Sequence, residues 1–74
     1  MLSEADFETL KKVKPEIAFQ MLLNRVEVEN GHPAVVGWCD ENIDDFYYCK
    51  DGVFYFTSDG TKSRFILALN GKTF

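Results

Sequence analysis

Phe46-Tyr47-Tyr48-Cys49-Lys50-Asp51-Gly52-Val53-Phe54-Tyr55-Phe56-Thr57 is the stretch on which the fold turns. Two aromatic runs flank Asp51-Gly52. A type I′ turn needs positive φ at both central residues, which Gly adopts freely and Asp better than most, so the stretch reads as a β-hairpin. A two-residue turn also fixes register. Lys50 should face Val53, Cys49 should face Phe54, Tyr48 should face Tyr55, and Tyr47 should face Phe56. Side chains alternate along a strand. One face therefore carries Tyr47, Cys49, Phe54 and Phe56, and the other carries Phe46, Tyr48, Lys50, Val53, Tyr55 and Thr57. The first set is drier and is expected to pack on helices.

Upstream, Ser3 reads as an N-cap with Asp6 three positions on, a shortened capping box. Leu2 and Phe7 have the spacing of a hydrophobic staple. A helix is expected from Glu4 to about Val13. Lys11, Lys12 and Lys14 then lie near its negative end. Pro15 ends that helix and suits the first turn of the next. Residues 16–23 are apolar almost all round, which predicts a central buried helix. The segment after it has two readings. It continues as helix to Glu29, or Arg25-Val26-Glu27-Val28-Glu29 alternates as a strand that Asn30-Gly31 turns into a second strand over 34–39. The clean alternation and the two valines favour the strand.

Downstream, residues 40–45 read as an acidic loop, Ser58-Asp59-Gly60-Thr61 as a turn and 63–69 as a last strand. The expected fold class is α+β. Two short N-terminal helices pack on a four- to five-stranded antiparallel β-meander, in a single domain spanning 1–74. Tyr47, Phe54, Phe56, Phe65 and Leu67 should be buried against Phe19, Leu22 and Leu23. The tail 70–74 reads as loose unless Phe74 docks.

With 74 residues the chain buries only roughly 60% of its unfolded surface. Its 15% aromatic content answers that difficulty, because rings bury much area per residue. Net charge is −4, which argues against direct nucleic-acid binding and against docking on anionic membranes. The charge is unevenly spread. Residues 27–59 hold Glu27, Glu29, Asp40, Glu41, Asp44, Asp45, Asp51 and Asp59 against Lys50 alone. Residues 60–74 hold Lys62, Arg64 and Lys72 and no acid. No stretch approaches the ~18 apolar residues of a membrane span. The N-terminal residues have no signal-peptide pattern. With two cysteines only, the expectation is a cytoplasmic protein with free thiols.

No segment matches a P-loop, a dinucleotide-binding turn, a nucleophile elbow or a zinc signature. Asp40-Glu41-Asn42-Ile43-Asp44-Asp45 lacks the spacing and the glycine of a calcium loop. His32, Cys39 and Cys49 contain no C-x-x-C unit, and no acid–base pair presents itself. The expectation is no enzyme, no metal and no cofactor.

What remains is surface. With a four-residue loop at 58–61, Arg64 falls in one row with Tyr48 and Tyr55 on the outer sheet face, a composition common at binding hot spots. The sequence therefore points to a small acidic protein-binding module whose partner has a basic surface. Its contact residues are Asp40, Glu41, Asp44, Asp45, Tyr48, Tyr55 and Arg64. By class-level analogy, carboxylates can stand where phosphates would, as in phage or mobile-element inhibitors of nucleic-acid-binding proteins. The alternative is a small-ligand or single-stranded nucleic-acid binder that stacks bases on Tyr48 and Tyr55. Oligomeric state stays open, a homodimer included.

Overall fold

The computed structural model describes residues 1–29 and 32–71, without the His32 side chain. The Asn30-Gly31 turn, the tail beyond residue 71 and any role for the His32 imidazole lie outside the described residues. The elements run α1 (Glu4–Val13), α2 (Pro15–Leu23), β1 (Arg25–Glu27), α3 (His32–Asn42), β2 (Tyr47–Lys50), β3 (Val53–Phe56) and α4 (Asp59–Asn70). The three strands form one antiparallel sheet in the order β1-β3-β2.

The hairpin forms in the register the turn chemistry requires. Tyr47 faces Phe56, Tyr48 faces Tyr55, Cys49 faces Phe54 and Lys50 faces Val53. Asp51 and Gly52 both take positive φ, 52° and 81°. The start of α1 also follows its local signals. The Ser3 side chain accepts from the Asp6 N–H at 3.0 Å, and the Asp6 carboxylate accepts from the Ser3 N–H in return. Leu2 and Phe7 share one cluster, as a staple requires. Pro15 opens α2. Asn24 ends it: its side-chain amide donates to the Gln20 carbonyl, and its own carbonyl accepts from Phe56 N–H at the sheet.

The meander does not form. The fold is four helices and a three-stranded sheet, not two N-terminal helices on four or five strands. Residues 34–39 and 63–69, expected as strands of the meander, are helical. The reason is tertiary. Val35, Cys39 and Ile43 stand one helical turn apart, and all three are buried on the sheet. In α4 the buried pair is Phe65 and Ala68, again at helical spacing, while Leu67 is 72% exposed. Strand propensity spans only about 1 kcal/mol and yields to burial of such a stripe. Ser58, read as part of a turn, is the N-cap of α4, and its hydroxyl accepts from Thr61 N–H at 3.2 Å. β1 is a strand, but its partner is β3, with Val26 opposite Phe54.

Helices therefore cover both sheet faces. Tyr47, Phe54 and Phe56 pack with Val35 and Cys39 of α3, Ile43 just beyond it and Phe65 of α4. Tyr48 packs with Phe7 and Met21 from α1 and α2, with Leu10, Ile17 and Tyr55 around them. The dry face does meet helices, but not those nearest the N-terminus. Phe19, Leu22 and Leu23 of α2, expected beneath the sheet, are exposed at 59%, 38% and 55%.

Cys39 and Cys49 are free thiols. Cys39 sits on α3 and Cys49 on β2. Burial pushes the Cys39 thiol up to about 12, with the Asp40 carboxylate adding to the effect. Burial also raises the Tyr47 hydroxyl, as does its hydrogen bond to Asp40. The unfolded chain releases these protons at ordinary values, about 8.5 for a thiol and about 10 for a phenol. Their stabilising contribution is thus complete below those values and is lost as pH rises toward about 12. The urea midpoint is expected to hold steady up to about pH 8 and to fall above it, less steeply in Cys39→Ala. A midpoint flat across that alkaline window would remove the linkage.

Candidate functional site

The acidic residues sit where α3 runs out. Asp40 and Glu41 occupy its last turn, and Asp44 and Asp45 lie in the connection to β2. All four are exposed. Carboxylates at a helix C-terminus oppose the dipole, so three cationic or hydrogen-bonding groups matter there. The Tyr47 hydroxyl donates to Asp40 Oδ1 at 2.6 Å, with the Val36 carbonyl 3.3 Å away. The Met1 ammonium stands 3.9 Å from the same oxygen. The Arg64 guanidinium donates to the Asn42 carbonyl at 2.8 Å and so ties α4 to the end of α3. Asp45 is held twice. Oδ1 accepts from Phe46 N–H at 2.8 Å and Oδ2 accepts from the Thr57 hydroxyl at 2.8 Å. The acidic segment is thus a braced platform rather than a free loop.

The row of Tyr48, Tyr55 and Arg64 is not assembled. Tyr48 is buried and stacks on Phe7 with ring centroids 4.4 Å apart and planes 8° from parallel. Tyr55 stacks on Tyr48 at 5.6 Å and meets Phe7 at 5.8 Å. These rings are the seam between the sheet and α1. Arg64 belongs to α4, in the layer on the opposite face. The two tyrosines and the arginine stabilise the fold by separate contacts, and with Tyr48 buried the stacking platform of the alternative reading lacks one of its two rings.

Two grooves of about 260 and 300 Å³ flank Phe46 on the α1/α2 side of the sheet. The first is bounded by Asp6, Leu10, Val13 and Lys14 and the second by Glu16, Gln20, Asp45 and Thr57, while Ile17 and Phe46 line both. Neither Ile17 nor Glu16 stood out as a site residue in the sequence, and Phe46 did so only as an extension of the outer sheet face. The available signal was the composition of α2. A nine-residue helix apolar almost all round, in a chain too small to surround it, must leave part of that surface in water.

Among the described residues no group of three or more His, Cys, Asp and Glu side chains is placed to hold a metal ion. Also among the described residues, no helix is long and apolar enough to cross a membrane. A comparison with known proteins finds no match: no family model fits the chain, and no curated protein or solved structure is similar to it.

Proposed function

We propose that this chain is a non-enzymatic protein-binding module that meets a basic surface of its partner through Asp40, Glu41, Asp44 and Asp45. The supporting observation is the bracing of an exposed acidic segment. Asp40 is tied to the buried Tyr47, and Asp45 to Thr57 and the Phe46 amide. Carboxylates held in place lose little conformational entropy on binding, and that preorganisation converts charge complementarity into affinity as well as on-rate. Fixed carboxylates can also take the places of successive phosphates. The specific form of the proposal is therefore an inhibitor that occupies the nucleic-acid site of a basic protein, in the manner of phage and mobile-element inhibitors.

Crosslinking followed by mass spectrometry identifies the partner, and association kinetics test the surface. Asp40 and Asp45 carry fold contacts, so the clean variant is Glu41→Gln with Asp44→Asn. At low salt this pair is expected to slow association several-fold, and the difference should shrink as salt screens it. Association rates equal to the unaltered protein at both salt levels would end the proposal. Displacement of the partner from nucleic acid separates the inhibitor form from simple binding.

A further inference from the structure

We infer that the grooves beside Phe46 receive a basic amphipathic helix of the partner, which seats apolar side chains beside Ile17 and Phe46 and sets Lys or Arg over Glu16 and Asp45. The inference rests on the protein-binding reading above and adds the identity of the segment that binds.

Size is the first argument. Ligand sites usually run from about 300 to 1,000 Å³. Each groove lies at or below that floor, at about 260 and 300 Å³, and the ridge of Phe46 separates them. Two adjoining cups of this size suit successive side chains of a polymer better than one whole small molecule.

Charge is the second argument. Glu16 and Asp45 rim the second groove, and Asp6 stands at the first beside Lys14. The floor is apolar and the rim is mainly acidic, on a chain of net charge −4. The complementary surface is apolar with flanking cations. A second copy of this chain carries the same net charge of −4, and electrostatics disfavours bringing two such acidic surfaces together.

The shape of α2 is the third argument. Phe19 and Leu23 stand on its outer side, one turn apart and exposed, next to Glu16 and Gln20. Across α2 the surface therefore runs from an apolar groove, over a polar row, to an apolar ridge. A helix laid in the groove along α2 seats apolar residues at three- and four-residue spacing beside Ile17 and Phe46 and sets the cations flanking that stripe over the polar row. A nine-residue helix is about 13.5 Å long, which matches roughly two and a half turns of such a partner.

The test uses the full chain and three synthetic 18-residue peptides. The first is a Leu/Lys amphipathic helix, the second has the same apolar face with Glu for Lys, and the third scrambles the Leu/Lys order. Titration followed by amide shifts in NMR is expected to show the Leu/Lys helix binding, with the largest changes at Ile17, Gln20, Phe46 and Thr57. Phe46→Ala and Glu16→Lys should each weaken it at least tenfold. Glu16 is exposed, so its variant retains the fold even where Phe46→Ala loses stability. The inference is overturned if the helix fails to bind, if shifts appear elsewhere, if both variants bind as tightly as the unaltered protein, or if the scrambled peptide binds equally. A concentration-dependent dimer that Phe19→Ala dissolves would assign the face to a second copy and likewise overturn it. The two proposals fail separately. Equal binding of the Glu peptide overturns the basic-helix inference and leaves the acidic-surface reading to the Glu41→Gln/Asp44→Asn kinetics. Weakening by Glu41→Gln/Asp44→Asn but not by Phe46→Ala or Glu16→Lys defeats the groove alone.

Discussion

Phe54→Ala is expected to bring this protein to the edge of unfolding. Phe54 is fully buried at the centre of β3, opposite Val26 on one side and Cys49 on the other. Its ring lies 5.2 Å from that of Phe65, 6.3 Å from Tyr47 and 6.4 Å from Phe56. Removing a buried phenyl group costs about 3–5 kcal/mol through lost transfer energy and the cavity left behind. A domain of this length has about 4–11 kcal/mol in total. The thermal midpoint should fall by roughly 12 °C or more, and the urea midpoint should fall with little change in slope. A cooperative melt within a degree or two of the unaltered protein would mean that β3 is not the central strand.

Phe7→Ala is expected to cost nearly as much, about 3 kcal/mol, and it tests the second layer. Phe7 lies 41 residues from Tyr48 and 48 from Tyr55, yet it is buried against both. Part of the cost is ring stacking, worth about 0.5–1.5 kcal/mol beyond area. Were Tyr48 and Tyr55 an open sheet face, the same change would trim an exposed helix at a cost nearer 1 kcal/mol or less. Urea unfolding decides between the two values. A double-mutant cycle with Tyr48→Ala should show a coupling that independent residues lack. A loss below 1 kcal/mol with no coupling would detach α1 from the sheet.

The candidate site was legible only in part. The acidic segment stands out in composition, and its exposure follows from the cost of burying charge. Its bracing did not show, because Tyr47 and Thr57 reach Asp40 and Asp45 from other elements. The grooves did not show either. Ile17 comes from α2 and Phe46 from the approach to β2, and only packing brings them together. Arg64 illustrates the converse. Its place in an aromatic row followed from extending sheet register through 58–61, and that extension failed as soon as Ser58 proved to be a helix cap.

Short-range chemistry decided the hairpin register, the capped start of α1 and the break at Pro15. In each, the interacting groups lie within a few residues, so Asp51-Gly52, Ser3 with Asp6, and Pro15 carry their own instructions. Packing alone decided the rest. Both faces of the hairpin are aromatic, so period-two alternation separates them without saying which helices cover which. Residues 34–39 and 63–69 suit strand and helix alike. Burial of Val35, Cys39 and Ile43, and of Phe65 and Ala68, on an already formed sheet turns both segments helical. That choice leaves the far edge of β3 to Arg25–Glu27. The energy that settles it comes from contacts between residues distant in the chain, which no local pattern records.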